Sequence, residues 1–179
     1  MPEIELRTVL LTDVHKLIAI DHDYTSDYVW QMDINSEEGQ IQVGFRQVKL
    51  PRSVQVDYPR TPRNLADDWS SRSGVIVACL ENEVVGYISI SKNIAPATAW
   101  VTDLAIMRRV RRQGIGSALI LAGQEWAIQQ EIYRMVLEMQ PKNYPAICFA
   151  QKLGFEFCGY NDRYYINRDI GLFFAKSLR

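Results

Sequence analysis

Val110-Arg111-Arg112-Gln113-Gly114-Ile115-Gly116-Ser117-Ala118-Leu119 decides how this chain is read. An apolar run, Leu104-Ala105-Ile106-Met107, precedes it, and a helix-patterned run follows. Gly114 and Gly116 carry no Cβ, so a ligand can come close to the backbone. The first amides of a helix lack internal acceptors, and the helix dipole adds partial positive charge there. A strand–turn–helix of this composition suits a phosphate, with Arg111 and Arg112 adding charge-assisted hydrogen bonds.

Spacing removes two other phosphate-binding readings. The loop of kinases and ATPases needs Gly-x-x-x-x-Gly-Lys-Ser/Thr, and no lysine follows here. The dinucleotide fingerprint needs a third small residue, and Leu119 stands beyond Gly114-Ile115-Gly116-Ser117-Ala118.

The rest of the chain bounds the answer. Its 179 residues suffice for one domain over 1–179 with a real core, and 47% hydrophobic with 23% charged content is that of an ordinary globular protein. A net charge of −1 gives no general case for nucleic acid or an anionic membrane. No apolar run approaches the roughly 20 residues that span a bilayer. Cys79, Cys148 and Cys158 form no disulfide or zinc pattern, and His15 and His22 are too few for a histidine-rich metal site. The expectation is a cytoplasmic protein without signal peptide or metal.

Moving outward from the turn, alternation predicts strands at Ile4–Arg7, Gln40–Leu50, Gly74–Leu80, Val84–Ser91, Thr98–Met107, Arg134–Met139, Phe155–Tyr160 and Ile170–Ser177. Glu81-Asn82-Glu83 reads as a hairpin turn. Helices are predicted from Thr12-Asp13, over Gly116–Gln130 with Leu119, Ala122 and Trp126 on one stripe, and over Asn143–Leu153 with Gly154 as left-handed cap. Asp21–Asp33 reads as helix with loops. Pro51, Pro59 and Pro62 make 51–63 a loop or edge segment, and Asp67-Asp68-Trp69 a short turn. The order implies an α/β or α+β fold with a mixed sheet.

Two segments then resemble a known family. Asp103-Leu104-Ala105-Ile106 with Arg111-Arg112-Gln113-Gly114-Ile115-Gly116-Ser117-Ala118-Leu119 is similar to the acetyl-CoA-binding motif of GNAT-type N-acetyltransferases. Asn143-x-x-Ala146-x-x-Phe149-x-x-Lys152-x-Gly154-Phe155 is similar to that family's next motif. The resemblance covers roughly residues 74 to 160, and the run WVTDLAIMRRVRRQGIGSALI with LEMQPKN looks most like the streptothricin-acetyltransferase branch.

The resemblance implies an α+β, α/β-like three-layer fold. A mixed, mostly antiparallel central sheet of about six to seven strands is flanked by helices. It implies acetyl-CoA as cosubstrate, bound at the pyrophosphate by Arg111, Arg112, Gln113, Gly114, Ile115, Gly116 and Ser117. Leu104, Ala105 and Ile106 would meet the pantetheine arm through main-chain groups. Asn143 would bond the arm and Phe149 would line its channel. The strands at 100–107 and 134–139 would splay around the acetyl group. The partner is an amine of open identity, antibiotic, polyamine, protein N-terminus or lysine, and family members often form homodimers.

The chemistry constrains the remaining residues. A free alkylamine is protonated at pH 7, its pKa being near ~10.4, so attack needs a proton acceptor. Asp103 is either that base or the partner of an arginine, and Glu138 is either base or structural. The family's usual acid is a tyrosine after the position of Phe149, where this chain has Ala150. Among Tyr144, Tyr160, Tyr164 and Tyr165, Tyr165 is favoured as a replacement from the final strand. Cys148 reads as inert core. Asp23, Tyr24, Asp27, Tyr28 and Trp30, beside Asp21, form an acidic aromatic cluster suited to a cationic amine, or else a solvated helix face. Ala150 leaves a second possibility, a non-catalytic acyl-CoA-binding or sensing domain. A third is an acyltransferase with a longer chain.

Overall fold

A computed structural model describes residues 4–179. Nine strands and four helices follow in the order β1 (Ile4–Thr8), α1 (Val14–Ile18), β2 (Tyr24–Glu37), β3 (Gln40–Val56), α2 (Arg63–Asp68), β4 (Gly74–Leu80), β5 (Glu83–Ser91), β6 (Ala99–Ile106), α3 (Ile115–Gln129), β7 (Arg134–Met139), α4 (Tyr144–Lys152), β8 (Glu156–Asn161) and β9 (Gly171–Ser177). Seven strands form one sheet in the order β1-β4-β5-β6-β7-β9-β8, while β2 and β3 make a separate two-stranded ribbon. Every neighbour in the sheet is antiparallel except β6 and β7. The mixed, mostly antiparallel α+β fold expected from the sequence is the one observed.

The sheet carries a core on each face. One gathers Leu119, Ile120, Ala127 and Ile147 of α3 and α4 with Val101, Met135 and Leu137. The other gathers Leu17, Leu65, Val77, Val84, Tyr87 and Ala105 under α1 and α2. The buried stripe of α3 runs through Ile115, Leu119, Ile120 and Ala127. Ala122 and Trp126, expected on that stripe, sit at its half-buried flank. Glu81 and Asn82 both have positive φ, 47° and 67°, as a two-residue hairpin requires.

Two segments depart from the sequence reading. Tyr24–Glu37 is a strand, not a helix with loops. Its β-branched and aromatic content favours the pleat, and a bulge between Ser26 and Tyr28 breaks the alternation that would have announced it. Gln40–Leu50 continues through Pro51 to Val56. Proline is tolerated because Tyr28 pairs with Lys49 and Ser26 with Val54, leaving Pro51 in the bulge with no ladder bond to supply. Residues 63–71 form α2 and a short 3-10 turn where only a turn was expected.

Asp13 anchors the start of α1. Its buried carboxylate accepts from Arg7 Nη1 and Nη2 at 2.6 and 3.1 Å and from the Leu10 amide at 2.8 Å. The hydrogen bond from Arg7 is the main cause holding this carboxyl below its ordinary value of 3.8. Its stabilising contribution is therefore present above pH 3.8 and is lost as pH falls through the lowered value. Asp13→Asn strands a guanidinium without its counter-charge and lowers unfolding free energy by about 3 kcal/mol at pH 7. Urea titrations of both proteins check this: the difference shrinks on acidification.

Candidate active site

The sheet opens where its one parallel pair ends. β6 and β7 pair only at Ala99–Met135, Trp100–Val136 and Val101–Leu137. Beyond that, β6 stays with β5 as far as Ile106–Gly86, and β7 stays with β9 as far as Met139–Leu172. The two strands part, as the resemblance implied for 100–107 and 134–139. A bulge contributes: Ser89 faces Asp103 while Ile90 faces Val101, so Thr102 is the extra residue. Met107 N–H donates to Val85 O at 2.8 Å. Alternation along an antiparallel edge then turns the main-chain groups of Ile106 and Leu104 toward the opening, and those of Ala105 toward β5.

A cleft of about 100 Å³ occupies the gap. Leu104, Asn143 and Phe149 line it, as do Asp103, Glu138 and Tyr165. These six were singled out from sequence and the fold brings them to one place. Asn143 caps α4, its Oδ1 accepting from Ala146 N at 3.1 Å, which leaves the side-chain amide donors for another partner. Tyr165 lies in the loop before β9 and not on the final strand as expected, yet it reaches the cleft. Ala150 is fully buried in the α4 stripe, so no hydroxyl stands at that position.

The turn before α3 sits at the end of β6 that carries the opening. Arg112 and Gly114 take positive φ, 63° and 88°. The amides of residues 112–117 have no backbone or side-chain acceptor among the described residues. A Cβ built on Gly114 meets nothing within 4 Å, so the space beside these donors is open. Unpaired amides facing open space fit a diphosphate. Gly116 serves packing: a Cβ there would lie 3.1 Å from Ile106 and 3.3 Å from Phe149, which lines the cleft.

Arg111 differs from the expectation. Its guanidinium donates to the carbonyls of Ile106 at 2.8 Å, Asp23 at 3.1 Å and Asp21 at 2.5 Å. The side chain is a brace between the turn and the segment leading into β2, and the Arg111 amide donates to Arg108 O at 3.3 Å, so the donors open to a phosphate begin at residue 112. Arg112 and Gln113 are exposed.

Both cleft carboxylates have cationic partners. Asp103 accepts from Arg72 Nη1 at 2.8 Å, from Thr102 at 2.9 Å and from the Tyr58 hydroxyl. Of the two readings for Asp103, the arginine pair is the one observed. Arg72 is itself held by Asp68 at 3.2 Å. Glu138 accepts from the Tyr164 hydroxyl at 2.6 Å and from Trp100 Nε1, and its Oε1 contacts Arg60. Burial pushes the Glu138 carboxyl above its ordinary range, with Arg60 opposing. Burial also raises Tyr165 well above the usual phenol value, Glu138 adding to it.

The acidic aromatic cluster is not assembled. Tyr24 turns inward, its hydroxyl 2.6 Å from Gln140 Oε1. Asp23 Oδ1 accepts the Tyr58 amide at 2.9 Å, and Asp27 is exposed and bonded by Ser53. Tyr28 stacks on Tyr144 at 4.6 Å, and the Trp30 amide donates to Pro141 O at 2.9 Å. The side chains of Asp23, Tyr24, Asp27 and Tyr28 are each engaged by a different partner. Cys148 is exposed, not core, because the α4 stripe runs through Ile147 and Ala150.

Sequence reasoning missed Tyr58, Arg60 and Arg72. A usable signal existed: carboxylates at 103 and 138 in apolar strands need cations, and the unassigned arginines lay between residues 52 and 72.

Known proteins place this geometry. The model of the acetyltransferase (GNAT) family matches residues 44–155. Streptothricin acetyltransferase of Streptomyces lavendulae is 22% identical over 169 residues, 90% of this chain and 86% of that protein. The L-amino acid N-acetyltransferase AaaT of Escherichia coli (strain K12) is 29% identical over 156 residues, 82% of this chain and 88% of that one. A Bacillus anthracis str. Ames structure, described as a streptothricin acetyltransferase in complex with acetyl coenzyme A, superposes with a TM-score of 0.75 at 19% identity, covering 98% and 99% of the two chains.

Proposed function

Because the chain belongs to the GNAT acetyltransferase family, we propose that it moves the acetyl group of acetyl-CoA to a primary amine by direct attack in a ternary complex. The observation that carries this reading is the open seam between β6 and β7, with unpaired amides at one end and two carboxylates along it. The Bacillus anthracis relative solved with acetyl coenzyme A supports the choice of cosubstrate.

Acetyl-CoA supplies an activated acetyl thioester when bound. The amides of residues 112–117 hold its diphosphate, and Asn143, Phe149 and the main chain of Leu104 and Ile106 orient the arm. A main-chain donor of the parted β6 edge polarises the thioester carbonyl. Glu138 takes the amine proton, since it lines the cleft and burial raises its basicity. Asp103, saturated by three donors, positions Tyr58 and Arg72. Tyr165 hydrogen-bonds the sulfur side of the cleft. It does not fully protonate the thiolate, because its raised value lies far above the roughly 8.5 of a free thiol. Most of the acceleration comes from holding amine and thioester in attack geometry.

The relatives act on two kinds of acceptor by name, an antibiotic and L-amino acids. Thiol release from acetyl-CoA with a panel of amines tests the reading. Release that depends on an added amine is the expected result. Tight acetyl-CoA binding without release for any amine would make the chain a sensing domain instead.

A further inference from the structure

We infer that Arg60 reads a carboxylate on the acceptor, and that the acceptor is a free α-amino acid whose ammonium is delivered to Glu138. This rests on the acetyl-transfer reading above and narrows its substrate class.

Arg60 lies in the Tyr58-Pro59-Arg60 segment that lines the cleft. Its guanidinium sits over two rings, 5.3 Å from the centre of Tyr165 and 6.0 Å from that of Tyr164. Among the described residues Glu138 is its only carboxylate partner, and the Nη2 atom makes that contact. A guanidinium has five N–H donors in a planar fork, so most of them remain for a guest. The Arg60 side chain is 28% exposed while that of Glu138 is 0% exposed. A molecule entering the cleft meets the cation first.

The charge pattern selects the guest. A polycationic acceptor needs uncompensated carboxylates. Here Asp103 shares Arg72 with Asp68 and is saturated by its donors, and Glu138, the carboxylate at the cleft, is covered by Arg60. What the cleft offers is a positive and a negative group in contact. An α-amino acid carries the complementary pair, ammonium and carboxylate on one carbon. Its carboxylate draws the Arg60 fork toward itself and uncovers Glu138 Oε1, the atom that Arg60 contacts. Glu138 then takes one proton from the ammonium. The freed nitrogen lone pair forms the N–C bond at the acetyl carbonyl, the C–S bond breaks, and the second nitrogen proton passes to the departing sulfur, so the products are an N-acetyl amino acid and coenzyme A as its thiol, with the first proton on Glu138.

Thiol release is measured with saturating acetyl-CoA for the standard L-amino acids, their carboxamides, the matching decarboxylated amines and spermidine. The expected result is that at least one amino acid exceeds its own carboxamide and amine by about 100-fold in kcat/KM, a discrimination ordinary for a buried polar contact. Arg60→Met should remove that preference chiefly through KM, Arg60→Lys should restore part of it, and acetyl-CoA affinity by calorimetry should stay unchanged. If carboxamides, plain amines or spermidine match or exceed the acids, the inference fails while acetyl transfer stands. Equal losses for all acceptors in Arg60→Met also overturn it, marking Arg60 as structural. Release from no member of the panel overturns this inference, and release from none of a wider set that adds peptides and antibiotics overturns the acetyl-transfer reading as well. The wild-type comparison needs no variant to fold.

Discussion

Gly114→Val lowers affinity for acetyl-CoA by at least about 100-fold, near 3 kcal/mol, while the fold survives. The residue has φ 88°, a region a β-branched side chain resists. A Cβ there meets no protein atom within 4 Å, so the damage is not a clash with the core. It is a backbone that must leave the left-handed region and carry the amides of residues 112–117 out of alignment, beside new bulk in the space left for the ligand. Calorimetric titration reads the affinity and thermal unfolding reads the fold. Gly114→Ala should show the same direction with a smaller loss. Wild-type affinity in the valine variant would remove the turn from the site.

Glu138→Gln is expected to reduce kcat/KM by about 10² to 10⁴, the range for loss of a positioned base. Glutamine keeps an oxygen for Tyr164 and Trp100 and fits the same space but leaves Arg60 without its counter-charge, so thermal unfolding is measured beside the rate. The pH profile carries the sign. The unprotonated carboxylate is the working form, so wild-type rate rises as pH climbs through Glu138's value, which burial places above the ordinary carboxylate range. That limb should vanish in Glu138→Gln. An unaltered profile and rate would move the base elsewhere, and Asp103→Asn would then be the variant to compare.

The parts of the site that were legible lie where local chemistry is self-sufficient. Gly114, Gly116 and Asn143 announce themselves because a left-handed turn, a close helix approach and an N-cap each demand a small set of residues at fixed offsets. The strands β4 to β7 were equally plain, being apolar runs with clear ends. What could not be read depended on partners far away in the chain. Asp103 meets Arg72, 31 positions distant, and Tyr58, 45 positions distant. The apolar setting of Asp103 calls for a cation, but nothing near it says which arginine supplies one. Arg111 looked like a phosphate ligand because its reach to Asp21 and Asp23, 90 and 88 positions back, is a tertiary fact. The helix expected over Asp21–Asp33 failed for a nearer reason: a bulge scrambles the two-residue rhythm by which a strand is recognised.

The Arg111 clasp sets where this scaffold can vary. One guanidinium staples the end of β6 to the root of the β2–β3 ribbon, spanning one carbonyl of β6 and two of the root in a fork that no lysine could match. The outer ribbon, exposed throughout 33–44, answers to no such constraint. Grafting, shortening or diversification for new acceptors belongs in that outer stretch, and the stapled root is the fixed frame on which it would be built.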